Sequence, residues 1–68
     1  KNGIVDGHYY IEGELQKNLG LICVDGDYYV VRGSGDLAVG TYYITEAKSN
    51  GLGFIGYYEF DESGKMIQ

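Results

Sequence analysis

The sequence predicts an all-β fold of stacked antiparallel β-hairpins, a short solenoid-like array or meander without a substantial helix. Three observations carry this. Asp-Gly stands between β-rich runs at 6–7 and at 25–26, and Asp-Gly supplies the two positive-φ residues of a two-residue hairpin turn. Tyrosine pairs recur at 9/10, 28/29, 42/43 and 57/58. Twelve glycines, eight tyrosines and no proline suit many short strands joined by tight turns, and no segment holds a helical period.

The elements follow in order. Asn2-Gly3 is a turn. Ile4-Val5, Asp6-Gly7 and His8–Ile11 form a hairpin that sets Val5 opposite His8 and Ile4 opposite Tyr9. Glu12-Gly13-Glu14 turns the chain, Leu15 begins a return strand, and Gln16–Asn18 is polar and exposed. Leu19–Val24 is an apolar run of strand length. Across Asp25-Gly26 it pairs Val24 with Asp27, Cys23 with Tyr28, Ile22 with Tyr29 and Leu21 with Val30. Leu21, Cys23, Tyr28 and Val30 then share one face, and Ile22, Val24 and Tyr29 the other. Both faces are apolar, so neighbours or a partner cover this hairpin on each side.

Arg32–Gly35 is a polar link, and Leu37–Val39 returns. Thr41–Thr45 is the cleanest β run, since every residue favours a strand. In the irregular stretch 46–53, Ala47-Lys48 supports one helical turn that Ser49-Asn50-Gly51 stops. Gly56–Phe60 is the last strand, Asp61–Gly64 a turn, and Lys65–Ile67 the return. These elements group into one domain over 1–68, with units near 1–18, 19–40 and 41–68. Tyr28–Leu37 and Tyr57–Met66 share a pattern: Tyr-Tyr, two strand residues, a four-residue turn ending in Gly, a charged residue, a large apolar residue. Tyr9–Leu15 repeats it with a shorter turn. Each copy is too small to bury its own face, and stacking supplies a shared core.

A chain of 68 residues buries a small fraction of its surface. One cysteine excludes an internal disulfide, and one histidine leaves no His/Cys zinc cluster. Starting at Lys1, the sequence reads as a mature fragment or an excised piece of a longer chain. The net charge is −5 and the five basic residues form no stripe, which argues against nucleic acid and anionic membranes as partners. No apolar run approaches the roughly 20 residues of a membrane-spanning helix. Hairpins at the ends of an array leave bare sheet edges, open to pairing with a second copy.

The residues 56–67, Gly-Tyr-Tyr-Glu-Phe-Asp-Glu-Ser-Gly-Lys-Met-Ile, resemble the choline-binding and glucan-binding cell-wall repeats of Gram-positive surface proteins. Those repeats read Gly-x-Trp-Tyr-Tyr-Phe-Asp-x-x-Gly-x-Met in units of roughly twenty residues. The match is looser over 21–37 and poor over 38–55. The Asp-Gly-x-Tyr-Tyr units are also similar to repeat regions of secreted proteins of gut Firmicutes. In the cell-wall family, aromatic residues of successive hairpins, notably Trp, box the choline ammonium. This chain has no Trp; Tyr57 stands at the Trp position and Glu59 at that of the second Tyr, while His8 and Asp27 fall at comparable places earlier. The resemblance implies a hairpin repeat, a secreted or cell-surface location, and a glycan-attachment role.

The tyrosine pairs admit two readings. One ring stacks on a sugar, its hydroxyl taking a hydrogen bond; or the rings fill the space between hairpins. Adjacent rings point to opposite faces, so one of each pair at most is free for ligand. Tyr9, Tyr28 and Tyr57 are the expected ligand-binding row, with Tyr42 beside them, and cell-wall polysaccharide or another glycan is the expected partner. A structural spacer or protein-interaction module, with every Tyr in packing, is the alternative.

Nothing points to catalysis, a metal or a cofactor. Cys23 is expected as a small buried hydrophobe with no base beside it. His8 is expected to be exposed and inert beside its turn. Glu12, Glu14, Asp61 and Glu62 sit in turns with no pocket for glycoside hydrolysis. Asp25-Gly26-Asp27 lacks the remaining ligands of a calcium loop. Gly33-Ser34-Gly35 lacks the helix and Lys of a phosphate loop.

Overall fold

The computed structural model describes residues 2–67. It is all-β. Strands β1 (Gly3–Val5), β2 (His8–Ile11) and β3 (Glu14–Leu15) form a three-stranded sheet. β4 (Gly20–Val24) pairs with β5 (Asp27–Val31), and β6 (Gly40–Ile44) with β7 (Gly56–Phe60), all antiparallel. No helix forms among the described residues.

The Asp-Gly turns set the register. Asp6 and Gly7 have φ of 49° and 76°, and Asp25 and Gly26 have 52° and 83°, the positive values a two-residue hairpin turn with matching twist requires. Val5 lies opposite His8 and Ile4 opposite Tyr9. Across the second turn, Val24 meets Asp27, Cys23 meets Tyr28, Ile22 meets Tyr29 and Leu21 meets Val30. All of these pairings agree with the sequence.

The hairpin β4–β5 separates two apolar clusters. Leu21 and Val30, with Tyr28 against them, join Ala38, Ile44, Phe60 and Met66 on one side. Tyr29 and Val31, with Ile22 and Val24 against them, join Leu37, Ile4 and Tyr9 on the other. Alternate residues of a strand point to opposite faces, so Tyr28 and Tyr29 serve different clusters. Burying both faces of a central hairpin is how so short a chain assembles a core.

The two turns with matching sequence close with the same bonds. Arg32 N–H donates to Asp36 C=O and Gly35 N–H to Arg32 C=O; Asp61 N–H donates to Lys65 C=O and Gly64 N–H to Asp61 C=O. Beyond the turns, Leu37 bridges Val31 and Met66 bridges Phe60. The returns predicted at 37–39 and 65–67 are therefore single bridges, not full strands. Each docks on the preceding hairpin: Leu37 N–H reaches Gly7 C=O and Met66 N–H reaches Tyr28 C=O. Side chains repeat the contact, His8 with Asp36 at 2.8 Å and Asp27 with Lys65 at 3.7 Å.

The irregular stretch has a structural task. Residues 46–51 form turns that reach back to the edge of β4. Leu21 N–H donates to Lys48 C=O, and Asn50 Nδ2 donates to the carbonyls of Leu19 and Leu21 at 2.7 and 2.9 Å. The side-chain ammonium of Lys48 bonds Asn18 Oδ1. The approach is close enough to require a glycine: a Cβ on Gly20 would lie 2.6 Å from the Lys48 carbonyl oxygen.

Two expectations are corrected. Cys23 is exposed. It shares a face with Leu21 and Val30 but sits two residues nearer the turn, outside the apolar cluster that covers that face. His8 is not inert. Its Nδ1 donates to the Asp6 carbonyl at 2.9 Å, and its Nε2 meets the Asp36 carboxylate at 2.8 Å, tying the first sheet to the turn that follows β5.

Candidate functional site

The four tyrosines singled out by the sequence are dispersed. Tyr9 packs against the cluster of Tyr29, Val31 and Leu37. Tyr28 packs against the other cluster, its ring centroid 4.7 Å from that of Phe54. Tyr42 lies against the same cluster, edge-on to Phe60 at 6.4 Å. Tyr57 is 74% exposed. No single face collects the four.

The difference follows from the stacking. Tyr9 and Tyr28 each stand two residues beyond an Asp-Gly turn, on the face that the next hairpin covers. Tyr57 has the matching place in β7, beside its own cross-strand neighbour, on a face that no described residue covers. That outer face of β6–β7 consists of Thr41, Tyr43, Tyr57 and Glu59, all exposed. Register sets Tyr43 opposite Tyr57 and Thr41 opposite Glu59.

These four make a compact arrangement. The rings of Tyr43 and Tyr57 meet edge to face, with centroids 5.0 Å apart and planes at 64°, the geometry that ring quadrupoles favour. Thr41 Oγ1 donates to Glu59 Oε1 at 2.6 Å. In β4–β5 the pair at the place of Thr41–Glu59 is Leu21–Val30, each 1% exposed. A polar pair thus stands on the outer face where an apolar pair is buried within the stack. Ile55 and Ile67 are exposed as well, at 49% and 56%, and Ile67 N–H donates to Glu59 C=O at 2.8 Å.

Sequence reasoning missed Tyr43, Thr41 and Glu59. Thr41–Thr45 and Gly56–Phe60 both read as strands, but the connection between them carries no short-turn signal, so their pairing was not legible. The alternation itself was the available signal. Thr41 and Tyr43 on one strand, and Tyr57 and Glu59 on the other, are the polar-tipped positions opposite a core-facing set of Tyr42, Ile44, Tyr58 and Phe60.

The electrostatics are plain. Asp61 is held below the ordinary carboxylate range, first by the hydroxyl of Ser63 and then by the backbone N–H of Lys65, with burial opposing. Its Oδ1 accepts from Ser63 Oγ at 2.6 Å, Ser63 N–H at 2.9 Å and Lys65 N–H at 3.0 Å, so this carboxylate builds its turn. Among the described residues no pocket opens, and no group of three or more His, Cys, Asp or Glu is placed to hold a metal. No helix is long and apolar enough to cross a membrane.

Comparison of the chain with protein-family models, with curated proteins and with solved structures gives no match.

Proposed function

We propose that the chain is a non-catalytic glycan-binding module of a secreted or cell-surface protein, of the hairpin-repeat type that residues 56–67 resemble, and that it takes cell-wall polysaccharide or another glycan on the outer face of β6–β7. The observation that supports this is the exposed Tyr43–Tyr57 pair beside the Thr41–Glu59 hydrogen bond. An exposed aromatic face accepts the C–H face of a sugar ring, and a phenol hydroxyl, a threonine and a carboxylate take sugar hydroxyls at its rim. A shallow, open platform suits a polymer that runs past it. Of the tyrosines first singled out, Tyr57 is the one that carries ligand in this reading, while Tyr9, Tyr28 and Tyr42 serve packing.

The test is calorimetric titration with soluble glucan and cell-wall polysaccharide fragments. Binding that Tyr57→Ala and Tyr43→Ala each weaken, and that Tyr9→Phe leaves alone, supports the reading. Absence of heat with every glycan at the highest soluble concentration sinks it.

A structural spacer is the second reading, favoured by the packing of Tyr9 and Tyr28 between neighbouring hairpins. It predicts that Tyr43→Ala and Tyr57→Ala are silent in every binding assay.

A further inference from the structure

Among the described residues the edge of β6 is open where the corresponding edge of β4 is covered. Ile67 N–H donates to Glu59 C=O, so the backbone groups of Glu59 face away from β6. Glu59 and its partner Thr41 therefore form a non-hydrogen-bonded pair, and the N–H and C=O of Thr41 point away from β7. Those of Tyr43, two residues on, do the same. In β4–β5 the equivalent pair is Leu21–Val30. There Val30 C=O accepts from Ala38, Leu21 N–H donates to Lys48 C=O, and Leu21 C=O accepts from Asn50. Among the described residues nothing is hydrogen-bonded to the outward groups of Thr41 and Tyr43. The strand, Gly-Thr-Tyr-Tyr-Ile, also has none of the Lys, Pro or bulge features by which natural edges resist pairing.

We propose that a second copy of this chain pairs with this edge, β6 to β6 and antiparallel, about a two-fold axis through Tyr42. The register is self-complementary. The two outward-facing residues flank Tyr42, so the axis sets Thr41 opposite the partner's Tyr43 and Tyr43 opposite the partner's Thr41. Each such pair exchanges both of its N–H···O bonds. Directly opposed residues of an antiparallel pair share a face. The outer faces of both copies thereby merge into one four-stranded surface, whose rows run Tyr57, Tyr43, the partner's Thr41, the partner's Glu59. The two Glu59 carboxylates stand on the outermost strands and in different rows, three strand spacings across and two residues along, roughly 16 Å apart, so no close like-charge contact opposes pairing. The net charge of −5 per chain is a longer-range repulsion that salt screens. The pairing does not depend on any ligand. That the joined platform of tyrosines binds a longer glycan rests on the glycan-binding reading above.

Sedimentation equilibrium without glycan, from about 10 μM to about 1 mM, tests the pairing. The expected result is a monomer–dimer equilibrium that tightens with added salt. Amide hydrogen exchange reads the edge in the unmodified chain: the Thr41 and Tyr43 amides gain roughly tenfold protection or more on going to the dimer. Thr41→Pro removes one outward N–H and spares every backbone bond to β7, and Thr41→Ala is its control because it loses the same Thr41–Glu59 side-chain bond; Thr41→Pro is expected to be monomeric, while Thr41→Ala still dimerises. A strict monomer at the highest concentration, a dimer in which the Thr41 and Tyr43 amides exchange as fast as in the monomer, or a folded Thr41→Pro chain that dimerises as before overturns the proposal. Glycan binding without dimerisation defeats the pairing alone, and dimerisation without glycan binding defeats the glycan reading alone.

Discussion

Gly64 packs on Leu37: a Cβ at position 64 would lie 2.8 Å from the Leu37 Cβ and 3.0 Å from its Cδ1. The turn after β7 is thus seated directly on the return that follows the second hairpin. Gly35 makes the looser counterpart, where a Cβ would meet Lys17 Cγ at 3.2 Å and Leu15 Cδ2 at 3.3 Å. Gly64 also has a φ of 92°, so Ala there suffers both a clash and a left-handed backbone. Gly64→Ala is expected to cost about 2–4 kcal/mol in urea unfolding. Gly40, at φ 79° with open space around it, has only the backbone term, and Gly40→Ala is expected to cost about 1 kcal/mol. Equal losses at the two sites would show that the Leu37 contact contributes nothing.

Tyr28 and Tyr57 hold matching places in their hairpins but differ in what covers them. Tyr28→Ala removes a ring packed on Phe54 and is expected to lower stability by about 2 kcal/mol. Tyr57→Ala deletes an exposed ring and is expected to change stability by less than about 0.5 kcal/mol. Chemical denaturation of both variants checks the contrast, and a larger loss at Tyr57 would refute the assignment of faces.

Asn50 closes the β4 edge with one side chain bonded to two carbonyls. Asn50→Ala is expected to cost about 1–2 kcal/mol and to accelerate hydrogen exchange at Leu21, whose N–H is bonded to Lys48 C=O. Unchanged exchange at Leu21 would mean that the 46–51 segment holds this edge without Asn50.

Asp61 gives a pH dependence of known sign. Its carboxyl is lowered from an ordinary value of 3.8, chiefly by the Ser63 hydroxyl. A depressed folded value means that the contribution to stability is full at neutral pH and is lost as pH falls through that folded value, below the ordinary one. The amide resonances of Ser63 and Lys65 are expected to move together in that acid window, and in Asp61→Ala to lack the transition. A transition centred above the ordinary carboxylate value would contradict the bonding described.

The hairpins with local signals were legible, and those without were not. Asp25-Gly26 defined its turn, and alternation then fixed every pair from Val24–Asp27 to Leu21–Val30. The match between Tyr28–Leu37 and Tyr57–Met66 identified two turns that close with the same hydrogen bonds. The pairing of β6 with β7 was hidden because the long connection between them is shaped by tertiary bonds to β4, which a local pattern cannot contain. For the same reason the sequence placed Tyr57 in a row with Tyr9 and Tyr28. Their positions match, but exposure depends on whether another hairpin follows, and among the described residues no further hairpin follows β7. The exposure of Cys23 is not legible for the same reason, since an apolar strand context does not say where the covering hairpin stops. His8 looked idle because its partner, Asp36, is distant in sequence.

The most direct test of the central claim is residue-resolved NMR mapping during titration with soluble glucan or cell-wall polysaccharide fragments. The predicted result is a saturable shift confined to Thr41, Tyr43, Tyr57, Glu59 and their immediate neighbours, with Tyr9 and Tyr28 unmoved. Resonances unchanged with every glycan, or shifts centred elsewhere on the chain, would contradict it.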